Sequence, residues 1–154
     1  MASYFIDTSA LAKRYVAETG SAWLRATLEP AAGCRALVAR ATSVELVSAI
    51  TRRERAGAIT AADTSAAREA IVHDLAGEYL VVEFAEPIAI EAMRLAERHA
   101  LRGYDAIQLA SALAVNRAVV GAGLRPVVLV SSDAELNVAV RREGMSVEDP
   151  NLHP

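Results

Sequence analysis

At 154 residues, 53% of them hydrophobic, the chain is long enough for one domain with a full core. A net charge of −3 argues against a passive nucleic-acid coat, because neutralising phosphates needs many cations; an enzyme with a local basic rim stays open. The single cysteine, Cys34, excludes an internal disulfide and a multi-cysteine zinc site, and His73, His99 and His153 are too scattered in sequence to form a ligand pair. No basic-apolar signal opens the chain and no apolar run is long enough to span a bilayer, so the expectation is a cytoplasmic protein with a single domain over residues 1–154.

The first apolar run, Tyr4 to Ile6, reads as a strand and ends on Asp7. Ala10 to about Ala17 reads as a helix, and Ser21 caps a second one through Leu28. Cys34 to Ala39 is a second strand, and Thr42 or Ser43 caps a helix through Arg55 that Gly57 ends. Thr60 to Tyr79 is helical, with its cap near Asp63, and Leu80 to Phe84 is a strand. Pro87 opens a helix to about His99. After a loop from Leu101 to Tyr104, an almost wholly apolar helix runs from Asp105 to about Val119. Pro126 to Val130 is a buried strand, Asp133 begins a helix to Glu143, and Met145 to Val147 forms a last short strand. Strands alternating with helices imply an α/β fold whose mainly parallel sheet is covered on both faces.

Four acids stand in unusual places. Asp7 and Asp133 follow strands that should be buried, and in a parallel sheet those strand ends share one edge, where open α/β folds bind ligands. Asp7, Asp105 and Asp133 each have a plainer use as helix caps, and Asp105 to Gln108 has the spacing of a capping box. Thr8, Ser9 and Ser132 could cap equally well. Glu45 sits inside its helix beside Ser48 and Ala49, either as a solvated glutamate or as a carboxylate facing the others. Converging carboxylates repel one another unless they share protons or bind cations. A set with no histidine or cysteine suits Mg²⁺ or Mn²⁺ better than zinc, and such an ion lowers the pKa of water and orients a phosphodiester.

These segments resemble the PIN-domain ribonucleases, most closely the VapC toxins of bacterial toxin–antitoxin pairs. The matching pieces are FIDTSAL (Phe5 to Leu11), TSVELVSAITRR (Thr42 to Arg53), LRGYDAIQLASAL (Leu101 to Leu113) and VVLVSSDAEL (Val127 to Leu136), with Gly144 as the closing glycine. The resemblance implies a PIN-like three-layer α/β/α sandwich around about five short strands. It implies that Asp7, Glu45, Asp105 and Asp133 are the catalytic metal ligands, with Ser9 and Ser131 in support. Ser131 stands where the family usually has threonine, and Asn137 where some relatives carry a further acid. The implied activity is Mg²⁺- or Mn²⁺-dependent hydrolysis of RNA to a 5′-phosphate and a 3′-hydroxyl. The implied partners are a cognate VapB-type antitoxin, whose tail places a basic side chain in the acidic site, and a second copy in a homodimer.

Arg14, Arg52 and Lys13, at about two helical turns from Asp7 or Glu45, are either candidate phosphate contacts or members of solvated helix faces. Arg141 and Arg142 have a second use near a helix C-terminus. Trp23 reads as core or as part of a groove for an antitoxin helix. Gly121-Ala122-Gly123 precedes a strand, which is the wrong side for a phosphate loop. Two other classes use an acid after a first strand. A haloacid-dehalogenase-like phosphatase would use Asp7 as nucleophile but needs a second aspartate at position 9, which is serine. A receiver domain needs a lysine after a late strand, and the sole lysine is Lys13. A catalytically inactive PIN fold used only for binding is a third reading.

Overall fold

The computed structural model describes residues 1–153. Strands β1 (Ser3–Ile6), β2 (Arg35–Ala39), β3 (Leu80–Val82), β4 (Val128–Val130) and β5 (Ser146–Glu148) form one sheet in the order β3-β2-β1-β4-β5. Every pairing is parallel, with Phe5 opposite Leu37 of β2 and Leu129 of β4. The helices are α1 (Thr8–Tyr15), α2 (Ser21–Thr27), α3 (Arg40–Arg55), α4 (Ala61–Gly77), α5 (Glu86–His99), α6 (Gly103–Gly121) and α7 (Ala134–Arg142).

Successive strand residues point to opposite sheet faces, and the core divides accordingly. Phe5, Leu37 and Leu129 pack with Ile88, Leu95, Leu109, Leu113 and Leu136 of α5, α6 and α7. Ile6, Val38 and Val130 pack with Leu11, Leu24, Leu46, Ile50 and Ile71 of α1 to α4. The result is a three-layer α/β/α sandwich. Each fully buried Phe, Ile or Leu contributes about 1.5–3 kcal/mol, so a core of this kind tolerates several unfavourable groups at one edge.

That edge is fixed by topology. The chain leaves β1 toward β2 on one side, and β4 pairs on the other, so β1 is the switch point of the sheet. The carboxyl ends of β1, β2 and β4 open together, and Asp7 N–H extends the ladder by donating to Val130 O at 2.9 Å.

Most helix boundaries differ from the sequence expectation by one or two residues, and three differences have consequences. Helix α1 begins at Thr8 because Asp7 is itself its cap. Helix α3 begins at Arg40 with no side-chain cap, so neither Thr42 nor Ser43 caps it; Thr42 is fully buried and bonded to Gln108. Helix α6 begins at Gly103, so Asp105 lies inside its first turn and caps nothing.

The C-terminal Pro150–Leu152 turn folds back on α2, where His153 stacks on Trp23 at 4.4 Å between ring centroids. Trp23 is thus half-buried under the chain's own tail. Gly20 makes this possible: its φ is +84°, and a Cβ there would lie 2.3 Å from Pro150 O. Gly57 shares the positive φ, at +74°, but a Cβ there would meet nothing within 4 Å. Gly20→Ala should therefore destabilise by about 1–3 kcal/mol more than Gly57→Ala. Thermal melting of the two variants checks this, and equal losses would show that the tail contact contributes nothing.

Candidate active site

Asp7, Glu45, Asp105 and Asp133 line one cavity of about 550 Å³ at the carboxyl edge of the sheet. They come from the end of β1, the second turn of α3, the first turn of α6 and the cap of α7. Ser9 and Ser132 line the same cavity, together with Lys13, Glu18, Arg52, Arg53 and Arg102.

Asp7 is 3% exposed, and three donors converge on its Oδ2: Ser9 N–H at 3.0 Å, Ser9 Oγ at 2.5 Å and Ser131 Oγ at 3.3 Å. An ionised carboxylate has about four acceptor sites, so these bonds orient the group and leave capacity for a ligand. Burial pushes the Asp7 pKa up; the Ser9 bonds pull against it, and the charge of Glu45 adds to the rise. Ser131 also accepts from Asp133 N–H at 3.0 Å, and Ser132 N–H donates to Ser9 Oγ at 2.9 Å, so two serines tie β1 to β4 under the acid.

Glu45 is held by groups that the sequence reading passed over. Its Oε1 accepts from Thr8 Oγ1 at 2.8 Å and from Gln108 Nε2 at 3.0 Å. Gln108 is fully buried and also donates to Thr42 Oγ1 at 2.9 Å. A glutamine inside the apolar run of α6 was the available signal, since a buried amide needs partners.

Asp105 has its pKa raised to about 6, first by burial and then by the charges of Asp133 and Asp7, while Arg102 opposes the rise. Asp133 spends Oδ1 on the α7 cap, accepting from Leu136 N–H at 2.9 Å. Arg102 spans the two acids, with Nε 3.3 Å from Asp105 and Nη2 3.5 Å from Asp133. At 75% exposure it is a weak, easily displaced counter-ion.

The remaining candidates separate. Arg52 lines the cavity, as does the buried Lys13. Arg14 does not: it lies against Asp74 of α4, with Nε 3.1 Å from Oδ2, and over the Tyr79 ring, apart from the four acids. Asp74 draws it away through a partner 60 positions distant in sequence. Asn137 is buried and donates to Ser131 O at 3.0 Å, bracing the loop beneath the site without lining the cavity.

Among the described residues, no three His, Cys, Asp or Glu side chains close into a ready-made ion cage. The four acids line the cavity without forming such a group. In its donor chemistry the set fits a hard cation: four carboxylates, hydroxyl support and like-charge strain that positive charge would relieve.

The raised Asp105 pKa sets a sign for stability. The folded protein holds this proton more tightly than the unfolded chain, so stability is full at low pH and falls as pH climbs from the ordinary carboxylate range through about 6. Asp105→Asn should raise the melting temperature in metal-free buffer at about pH 7.5 and lose that advantage near about pH 4.5. A melting difference that is flat with pH would show that Asp105 feels no such strain.

Crystal structures of similar fold include PAE2754 from Pyrobaculum aerophilum, at 23% identity and TM-score 0.64 over 99% of this chain and 92% of that one. VapBC2 from Rickettsia felis, bound to a DNA fragment from its promoter, matches at 12% identity and TM-score 0.60 over 96% of this chain and 98% of that one. FitAcB from Neisseria gonorrhoeae matches at 18% identity and TM-score 0.60 over 96% and 97%. Among curated proteins, none matches the sequence significantly. The profile of the PIN domain family matches residues 4–138, and the chain therefore belongs to the PIN domain family.

Proposed function

We propose that the protein is a Mg²⁺- or Mn²⁺-dependent endoribonuclease, the toxin of a cytoplasmic toxin–antitoxin pair neutralised by a VapB-type antitoxin. The observation that carries this reading is the placement of Asp7, Glu45, Asp105 and Asp133, from four separate segments, around one cavity at the switch point of the sheet. Membership of the PIN family and the likeness in fold to VapBC2 and FitAcB support it. No helix among the described residues is long and apolar enough to cross a membrane.

Asp7 and Asp105 would be the principal ligands of the divalent ion, with Glu45 and Asp133 completing the site. When bound, the ion supplies a lowered water pKa and positive charge against the phosphodiester. The chain's own residues do the positioning. Ser9 and Ser131 hold the Asp7 carboxylate from below, and Thr8 and Gln108 fix the Glu45 carboxylate through one oxygen. Arg102 balances Asp105 and Asp133 until an ion or substrate displaces it. Arg52 stands one stretch of α3 beyond Glu45 and offers a guanidinium to the RNA backbone. A second copy of the chain in a homodimer belongs to the same reading.

The aspartyl-phosphate alternative gains nothing from the geometry. Asp7 is buried, and the position where that chemistry needs an acid holds Ser9, whose hydroxyl is committed to Asp7.

Asp7→Asn should abolish RNA cleavage, with loss of at least about a thousandfold, and leave the circular-dichroism spectrum and melting cooperativity intact. Removing divalent ions with EDTA should silence the unmodified protein, and Mn²⁺ should restore products bearing 5′-phosphates. Full activity in Asp7→Asn, or in EDTA, would refute the proposal.

A further inference from the structure

The acidic site accounts for one end of the cavity; its other end is basic. Along α3, Glu45, Ala49, Arg52 and Arg53 follow one another at helical spacing on one face, and all four line the cavity. Eight residues at 1.5 Å rise put Arg53 about 12 Å from Glu45. Ala49 and, from α1, Ala12 form the wall between the two ends, and neither projects more than a methyl group.

The cations at the far end share a single carboxylate. Arg53 Nη2 is 3.1 Å from Glu18 Oε1, and Lys13 Nζ is 3.9 Å from the same oxygen. Lys13 is the only lysine, and its side chain is 5% exposed. Two of its three protons are directed elsewhere, to Thr19 O and Asn151 Oδ1, each at 2.9 Å. The third faces Glu18 at a distance too long for a hydrogen bond. Arg53 Nη1 is buried and has no hydrogen-bond partner among the described residues. Such an orphaned guanidinium donor is costly and calls for an acceptor. Glu18 sits on the loop between α1 and α2, with its side chain 34% exposed.

We infer that Lys13 and Arg53 form a phosphate subsite for single-stranded RNA next to the reacting centre, and that the Glu18 carboxylate occupies this subsite until a backbone phosphate displaces it. This inference rests on the nuclease reading for its substrate and extends it to a second position on the strand. One phosphate has oxygens enough to take the Glu18 contact and the orphaned Arg53 donor together, which one carboxylate oxygen does not. The ammonium of Lys13 is held ready by Asn151, so the C-terminal turn that packs on Gly20 also sets the subsite. The small wall at Ala12 and Ala49 leaves room for the chain between the two ends.

The test measures binding of a fluorescently labelled single-stranded RNA oligonucleotide to the full chain in EDTA, across a salt series, with cleavage in Mg²⁺ followed separately. Arg53→Gln should weaken binding by about tenfold and reduce the slope of log affinity against log salt by about 0.7, the value for one lost phosphate contact on a single strand. Glu18→Gln should act in the opposite direction and tighten binding by about threefold. A mere structural brace between α3 and the α1–α2 loop predicts that both variants lose affinity together. Weakening by Glu18→Gln, an unchanged salt slope in Arg53→Gln, or no RNA binding by the unmodified protein each overturns the subsite. Arg53-dependent binding with no cleavage in Mg²⁺ would support the subsite and refute the nuclease reading.

Discussion

Asp7 stands at the end of the central strand, almost without solvent, with two serines aimed at one of its oxygens. A carboxylate in that position is tolerable only because β1 and β4 pair in a register that sets Ser131 beside it, and because α1 turns back over it from Ser9. Three donors therefore offset part of the burial cost, and the remainder, together with the like charges of the neighbouring acids, is unmet. The unmet part is the functional part. It leaves Asp105 holding a proton into the near-neutral range and leaves Arg102 as a loose counter-ion. The same edge is stable by virtue of the two hydrophobic layers behind it, so the site stores electrostatic strain that the core tolerates.

How much of this could be read from the residues follows the range of the interactions. The strands, and the acids at their ends, were visible because parallel strands are nearly pure apolar runs and a charge that ends one stands out. Asp133 shows the limit of that reasoning: it is both a helix cap and a cavity residue, and position alone could not separate the two. For Asp105 a cap was the plainer of two readings, and it caps nothing, because Gly103 and Tyr104 already form the first turn of α6. Arg14 was read as facing the site, but a buried carboxylate on α4 claims it. The Thr8–Gln108–Glu45 bonds join residues 37 to 100 positions apart, and no local spacing encodes them. Arg53 has the same character: its partner Glu18 lies 35 positions away, and only the fold brings the two together.

The cavity that results has a charge gradient along one helix face. Carboxylates gather where the strands end, and Lys13, Arg52 and Arg53 gather a few turns away. This arrangement would reconcile a net charge of −3 with the polyanionic substrate proposed above, since attraction would be needed only along the path of the strand.

The central claim is that these acids are brought together to hold a divalent cation. Anomalous diffraction from crystals soaked in Mn²⁺ tests it most directly. The account predicts a peak inside the cavity within bonding reach of Asp7 and Asp105, absent in Asp7→Asn crystals treated alike. A soaked crystal with no peak there, or with Mn²⁺ bound only elsewhere on the surface, would contradict it.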